Sequence, residues 1–273
     1  VGADLRYGDG RAGRHAVGLE FGATLKEWRQ ARRVSQLDLG LSAGVSARHI
    51  SFLETGRSRP SRGMVLRLCE QLDVPIAQRN RLLMAAGLSP AYAKRDLSVE
   101  EMAPVQAAVD WTLQRHAPYP AMALDRHWRL VAVNSVAEQI LAGLGVACGD
   151  SLIEMMIGSD VLRQALVNYE EILGHMVARL RVESAHFGQD DVLEDAITRM
   201  SALLTQEARA MEGMKPAIIP AIYELGGVRM SFFSTITQFG STEDIALSEL
   251  RIEMLFPVDE ETRLALEAMG PGR

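Results

Sequence analysis

Ser35-Gln36-Leu37-Asp38-Leu39-Gly40-Leu41-Ser42-Ala43-Gly44-Val45-Ser46-Ala47-Arg48-His49-Ile50-Ser51-Phe52-Leu53-Glu54-Thr55-Gly56 reads as two short helices joined by a tight turn. Ser35 and Asp38 form a box whose side chains can satisfy the free N–H groups of a helix start. That helix ends at Ala43-Gly44, where glycine supplies a left-handed turn. Ser46 caps the next helix, which stops at Thr55-Gly56. Gly40 is small where two helices must approach. Leu37, Leu41, Val45, Ile50 and Leu53 are expected to form the core between them.

Working outward, Thr24-Leu25-Lys26-Glu27 has the pattern of a capping box and predicts a first helix running to about Arg33. Met64 to Leu72 form a fourth helix, with Val65, Leu68, Cys69 and Leu72 on one face. Pro75 opens a fifth, which closes near Gly87. Residues 1–20 are Gly-rich and lack periodicity, so a flexible tail is expected there. A five-helix, all-α bundle over 21–95 follows. Residues 96–120 read as a helical connector, with Val105, Val109, Trp111 and Leu113 in one amphipathic stretch.

The remainder, 121–273, changes style. Ala121–Asp125 and Leu130–Asn134 are apolar runs around a polar turn, the pattern of a hairpin. Ser135–Leu144 and the stretches 151–157, 161–182 and 190–212 read as helices. Strands are expected at about 217–225, 228–239 and 245–256, with Gly226-Gly227 as a tight turn. This order predicts an α+β domain with a five-stranded antiparallel sheet, one face covered by helices.

Charge divides the chain where the helical bundle ends, at about residue 95. The whole carries a net charge of -6. Residues 21–95 hold 13 basic and 5 acidic residues, and 96–273 hold 13 basic and 27 acidic. A basic block followed by an acidic one suits a nucleic-acid module joined to a domain that avoids nucleic acid.

A helix-turn-helix recognises DNA through polar residues at the exposed start of its second helix. Ser46, Ala47, Arg48, His49 and Ser51 occupy that position, and Gln36 begins the helix before it. Arg48 can fork onto guanine O6 and N7, a pair worth ~1–3 kcal/mol of discrimination. Arg57, Arg59 and Arg62 suit phosphates, which position a protein without specifying sequence. A bundle with a solvated basic face is the plain alternative, and for His49 a structural role is as well supported.

The two cysteines, Cys69 and Cys148, match no metal or disulfide framework. No apolar run approaches the ~18–20 residues of a membrane span, and no signal-peptide segment opens the chain. A reduced, cytoplasmic protein that does not enter membranes is expected. No nucleophile elbow, phosphate-binding loop or zinc motif is present, so neither an enzyme nor a cofactor is expected. Asp190, Asp191, Glu194 and Asp195 read as a solvated acidic face, and His175 and His186 lack ligand-like partners. In the sheet, Met122, Trp128, Val131, Met230, Phe232, Ser234, Ile236, Leu250, Ile252 and Met254 are candidate cavity residues. They oppose helices carrying Met155, Met156, Met200 and Met211. Methionine adapts to guests, although such a stripe is also ordinary core.

Residues 22–87 resemble the lambda-repressor/Cro-type (XRE) helix-turn-helix family. The marks are Ser35-Gln36, Ala43-Gly44-Val45-Ser46 and Ile50 through Ser61. The variant Arg48-His49-Ile50-Ser51-Phe52-Leu53-Glu54 resembles the branch fused to an MmyB-like ligand-binding domain. Pro118-Tyr119-Pro120-Ala121, Leu124-Asp125-Arg126-His127-Trp128, Asn134, Ser231 to Thr235 and Leu247-Ser248-Glu249-Leu250 extend that resemblance to the second half. It implies a PAS-like fold and, in some members, fatty-acid-like ligands. Ala47 departs from the polar residue common at its position.

The expectation is a transcription regulator that binds double-stranded operator DNA as a homodimer and senses a small apolar ligand, a fatty acid or acyl derivative. Its connector would pass the signal to the DNA heads. Two other readings stay open. One is a constitutive repressor whose second domain only dimerises or recruits a protein. The other is a catalytic second domain under DNA-linked control.

Overall fold

The computed structural model describes residues 10–206, 218–240 and 243–269. They form two compact units, the first of residues up to Ala93 with Ala185–Gly188 and the second of Lys94–Ser184 with the residues from Gln189 onward.

The first unit is all-α: α1 (Gly10–Ala31), α2 (Gln36–Ala43), α3 (Ala47–Glu54), α4 (Arg62–Gln71) and α5 (Ile76–Ala85). Two caps, Ser35 and Ser46, form as expected, and Ser61 adds a third. Ser35, Ser46 and Ser61 accept from the backbone N–H groups of Asp38, His49 and Met64. Thr24 does not cap. It lies inside α1 and its hydroxyl donates to the Glu20 carbonyl one turn back, at 3.0 Å. The apolar stripe Phe21, Leu25 and Trp28, all buried, begins before Thr24, so burying Phe21 draws the helix upstream. Helix therefore occupies part of the expected 1–20 tail, from Gly10 onward, and positions 1–9 lie outside the described residues.

Leu39, Ala43, Ile50, Leu53, Val65, Leu68, Cys69 and Leu72 form the core of this unit, and burial pushes the Cys69 thiol up to about 12. Leu37 and Leu41 do not join it: they are 59% and 72% exposed. A two-turn helix can turn only one face to the bundle, and α2 turns Leu39, Gly40 and Ala43. A Cβ on Gly40 would stand 2.8 Å from the Val45 carbonyl oxygen, and one on Gly22 would stand 2.5 Å from that of Glu54. These two glycines set how closely α2 meets the turn and α1 meets α3.

A buried ion pair ties the bundle together. Arg29 Nε and Nη2 donate to the two Glu54 oxygens at 2.6 and 3.0 Å. Gln36 Nε2 adds a third bond to Glu54, at 2.8 Å. Burial would raise the Glu54 pKa. The Arg29 and Gln36 hydrogen bonds outweigh it and hold the carboxyl below its ordinary value. The same contact raises that of Arg29.

The second unit is α+β. A 3-10 turn (Glu100–Met102) leads into α6 (Ala103–Arg115). Then come β1 (Ala121–Leu124), β2 (Leu130–Val133), α7 (Ser135–Gly143), α8 (Leu152–Gly158), α9 (Asp160–Ala165), α10 (Tyr169–His186), α11 (Asp191–Leu203), β3 (Ala221–Leu225) and β4 (Val228–Gln238). α12 (Ile245–Glu249), β5 (Arg251–Pro257) and α13 (Glu260–Met269) complete it. The sheet has five antiparallel strands in the order β2-β1-β5-β4-β3. The last strand thus inserts between two local hairpins and joins them.

Four details depart from the sequence expectation. Residues 161–182 are not one helix. Between α9 and α10, Val167 donates to the Ile222 carbonyl at 2.8 Å, and Asn168 brackets the same strand through Pro220 and Ile222. Residues 245–249 are helical rather than strand, because Asp244 caps them by accepting from Ala246 N–H. α13 was not foreseen at all. Finally, both faces of the sheet are used: α6 buries Val109 and Leu113 against Ala121, Ala123, Leu250 and Ile252. Trp111, on the same helix, is 62% exposed. Met211 and positions 207–217 lie outside the described residues.

Candidate DNA interface and ligand cavity

The turn between α2 and α3 sits on Gly44, whose φ of 68° is the left-handed region that glycine enters without strain. It projects the start of α3 outward. Ser46 and Arg48 are exposed, with Ala47 and His49 half-buried beside them and Ser51 half-buried a turn later. The Arg48 guanidinium lies 5.2 Å from the centroid of the Phe52 ring, and that of Arg57 lies 6.0 Å from it. Arg57 and Arg59 are exposed in the loop after α3.

Two of the expected DNA-contacting residues are engaged within the unit. Gln36 spends its amide N–H on Glu54. Arg62 donates to the carbonyls of Ser89 and Pro90 at 2.8 and 3.2 Å, and so ties α4 to the chain after α5. Their spacing on the sequence resembles that of free polar residues, and only the tertiary contacts reveal the difference.

The second unit holds a partly open cavity of about 190 Å³. The sheet supplies Met122, Phe232, Ser234, Glu253 and Leu255. α7 supplies Ala137, Ile140 and Leu141, and Met155 and Met156 come from α8. From α10 come Ile172, His175, Met176 and Arg179, and Trp128 closes one end from the β1–β2 turn. Of the sequence candidates, Met122, Trp128, Met155, Phe232 and Ser234 converge here.

The other seven lie elsewhere. Leu250, Ile252 and Met254 pack toward α6 on the opposite sheet face. The cause is register. Ser234 pairs with Leu255 and Ile236 with Glu253, whereas Met254 pairs with Thr235. The cavity face of β5 is therefore its odd-numbered one. Parity within a strand is legible in the sequence, but a one-residue shift between strands exchanges the faces. Met230 joins Val136 and Leu266 of α13. Met200 is buried in α11. Val131 and Ile236 are 38% and 42% exposed. His175, Arg179 and Glu253 line the cavity without having been foreseen as site residues.

Its polar wall is built from charges that balance. Arg179 and Arg251 stand 4.2 and 4.7 Å from the Trp128 ring centroid. Glu183 accepts from Trp128 Nε1 at 2.9 Å, from Arg179 Nε at 3.0 Å and from Arg251 Nη1 at 2.5 Å. Burial opposes ionisation of Glu183, but these donors, Arg251 foremost, hold its pKa below the usual value. Glu253 lies 3.7 Å from Arg179 Nη1. Behind the wall, Asp190 is not part of a solvated acidic face. It is buried, caps α11, and pairs with Arg126 at 2.7 Å. Burial works against its charge. His127 and Arg126 prevail and bring its pKa to about 2.

Among the described residues no cluster of His, Cys, Asp or Glu could hold a metal ion. No described helix is long and apolar enough to cross a membrane.

A helix-turn-helix unit followed by an α+β unit with a lined cavity defines a ligand-binding transcription regulator. Residues 20–82 match the helix-turn-helix domain family. Residues 105–269 match the MmyB-like transcription regulator ligand binding domain, and the chain belongs to that family. Relatives include uncharacterized HTH-type transcriptional regulators of Mycobacterium bovis and Mycobacterium tuberculosis. Each is 26% identical over 220 residues, covering 77% of this chain and 84% of the relative. Among solved structures, the PAS domain of an HTR-like protein from Haloarcula marismortui is 14% identical, with a TM-score of 0.25. It covers 58% of this chain and 97% of that one. The PAS domain of BvgS from Bordetella pertussis is also 14% identical, with a TM-score of 0.28, and covers 60% and 95%. At those scores neither carries an argument about this chain.

Proposed function

We propose that the chain is a non-enzymatic, sequence-specific regulator of the cytoplasm. It binds operator DNA as a homodimer and senses a small apolar, fatty-acid-like molecule in the cavity of its second unit. The observation that carries the reading is the exposed start of α3, with Arg48 free of the hydrogen-bonded core that occupies Gln36 and Arg62. Arg48 reads a base edge. Ser46, His49 and Ser51 make the adjoining contacts, and Arg57 and Arg59 hold phosphates. One such module offers few contacts, so two copies occupy half-sites ~34 Å apart. The apolar lining, with Met122, Met155 and Met176 among it, suits an aliphatic guest. A coupling of ~1–3 kcal/mol between guest and DNA changes operator affinity severalfold or more.

Fluorescence anisotropy on genomic fragments tests the DNA half. Selective binding that weakens as salt rises is expected, and equal binding to every fragment overturns it. Native mass spectrometry of gently extracted protein tests the ligand half, with a co-purifying apolar molecule expected. A cavity that takes up nothing from an aliphatic panel favours a constitutive repressor instead.

A further inference from the structure

The cavity is apolar over most of its wall, yet one side carries hydrogen-bonding capacity that the protein leaves unused. Glu253 lines the cavity with a side chain only 12% exposed. Its nearest cation is Arg179 Nη1 at 3.7 Å, too far for a hydrogen bond. No N–H or O–H group of the described residues donates to the Glu253 carboxylate. Arg179 lines the same wall, and its Nη1, the atom nearest Glu253, donates no hydrogen bond to any described residue. An unfilled acceptor and an unfilled donor thus stand side by side in a space lined mostly by apolar side chains. A buried polar group left in that state is costly.

The charges here decide what would fill them. Two guanidinium groups, Arg179 and Arg251, face two carboxylates, Glu183 and Glu253. His175 also lines the cavity. Tyr223 does too, and burial together with the Glu253 charge raises its phenol to about 12, so it adds no charge. A carboxylate guest would meet Arg179 but would also bring a third negative charge against Glu253. An ester would satisfy Arg179 and leave Glu253 without a donor. A head that donates and accepts while carrying no charge satisfies both.

We propose that the cavity selects an aliphatic chain bearing an uncharged carboxamide-type head, whose N–H is received by Glu253 and whose oxygen is held by Arg179. The inference rests on the reading of the cavity as the ligand site and adds the class of head group it takes. Both residues act by direct contact with the guest. Arg179 keeps its Nε bond to Glu183 while doing so, and the Trp128–Glu183–Arg251 cluster stays intact.

Calorimetric titration of the full chain with decanamide, decanoate and methyl decanoate separates the possibilities. Decanamide is expected to bind about tenfold or more tighter than either of the others, the worth of one hydrogen bond to a charged group. Glu253→Ala and Arg179→Met should each erase that preference while retaining binding of methyl decanoate, which reports an intact cavity. Equal or tighter binding of decanoate overturns the head-group inference and leaves the cavity reading standing. Failure of all three probes to bind the unaltered protein overturns both. A decanamide preference that survives both substitutions removes Glu253 and Arg179 from the role.

Discussion

In the first unit the residues that carry chemistry lie outside, within a few turns of one another along the chain. In the second they converge from β1, α7, α8, α10, β4 and β5 onto one partly open cavity. The outward site needs only a rigid local scaffold: a glycine turn, two serine caps and one buried ion pair. The inward site exists only once β5 has slotted between the hairpins. A surface for DNA can therefore be specified locally, whereas a cavity is a property of the assembled sheet.

The sharpest way to break this contrast is at Glu54. Removing one partner of a buried ion pair leaves the other charge uncompensated, at about 3–5 kcal/mol. Glu54→Ala should lower the unfolding transition of the first unit by that amount and leave the transition of the second unchanged, as read by calorimetry. The pH dependence carries the same sign. The Glu54 pKa is depressed on folding, so its stabilisation is complete above the ordinary carboxylate value and is lost as pH falls through the lower folded one. Acid should loosen the first unit of the unaltered protein through this group, and the variant should lack that component. A single shared transition in both proteins would abolish the distinction between the units.

The next effect belongs to the cavity. Ser234 is exposed at its rim and also lines it. Ser234→Phe should block a guest without disturbing the core. The stabilisation of ~2.7 kcal/mol that a ligand at a hundred times its Kd confers should disappear from the thermal shift. A retained shift would place the guest elsewhere.

Smaller effects test the DNA face. Arg48→Ala should cost ~1–3 kcal/mol on the preferred operator and relax discrimination at one base pair. Arg57→Ala should weaken all sequences alike and reduce the slope of log affinity against log salt by about 1. If the two variants behave identically, α3 does not read bases and the outward site is merely electrostatic.

The short-range features were legible for a physical reason. Ser35, Gly44 and Ser46 act on backbone groups three or four residues away, so their roles can be read in place. The same reasoning went astray at Thr24, where an upstream apolar stripe continued the helix. It went astray again at Leu37 and Leu41, where helical spacing could not say which face the bundle would meet. In the second unit both hairpins and most helices were foreseen, because alternation and turn residues mark them. Leu250, Ile252 and Met254 were assigned to the wrong sheet face because facing is settled by pairing with β1 and β4, more than a hundred and about fifteen positions away.

By itself, then, the sequence determined an all-α basic unit with a helix-turn-helix, an acidic α+β unit, and the apolar character of what the second would enclose. Tertiary structure decided which arginines remain available, which methionines line the cavity, and that Glu253 and Arg179 meet on its wall. Propensity, capping and charge are carried by neighbouring residues. Strand register and the partner of a buried charge are set only when distant segments pack, because there the free energy depends on which faces leave water together.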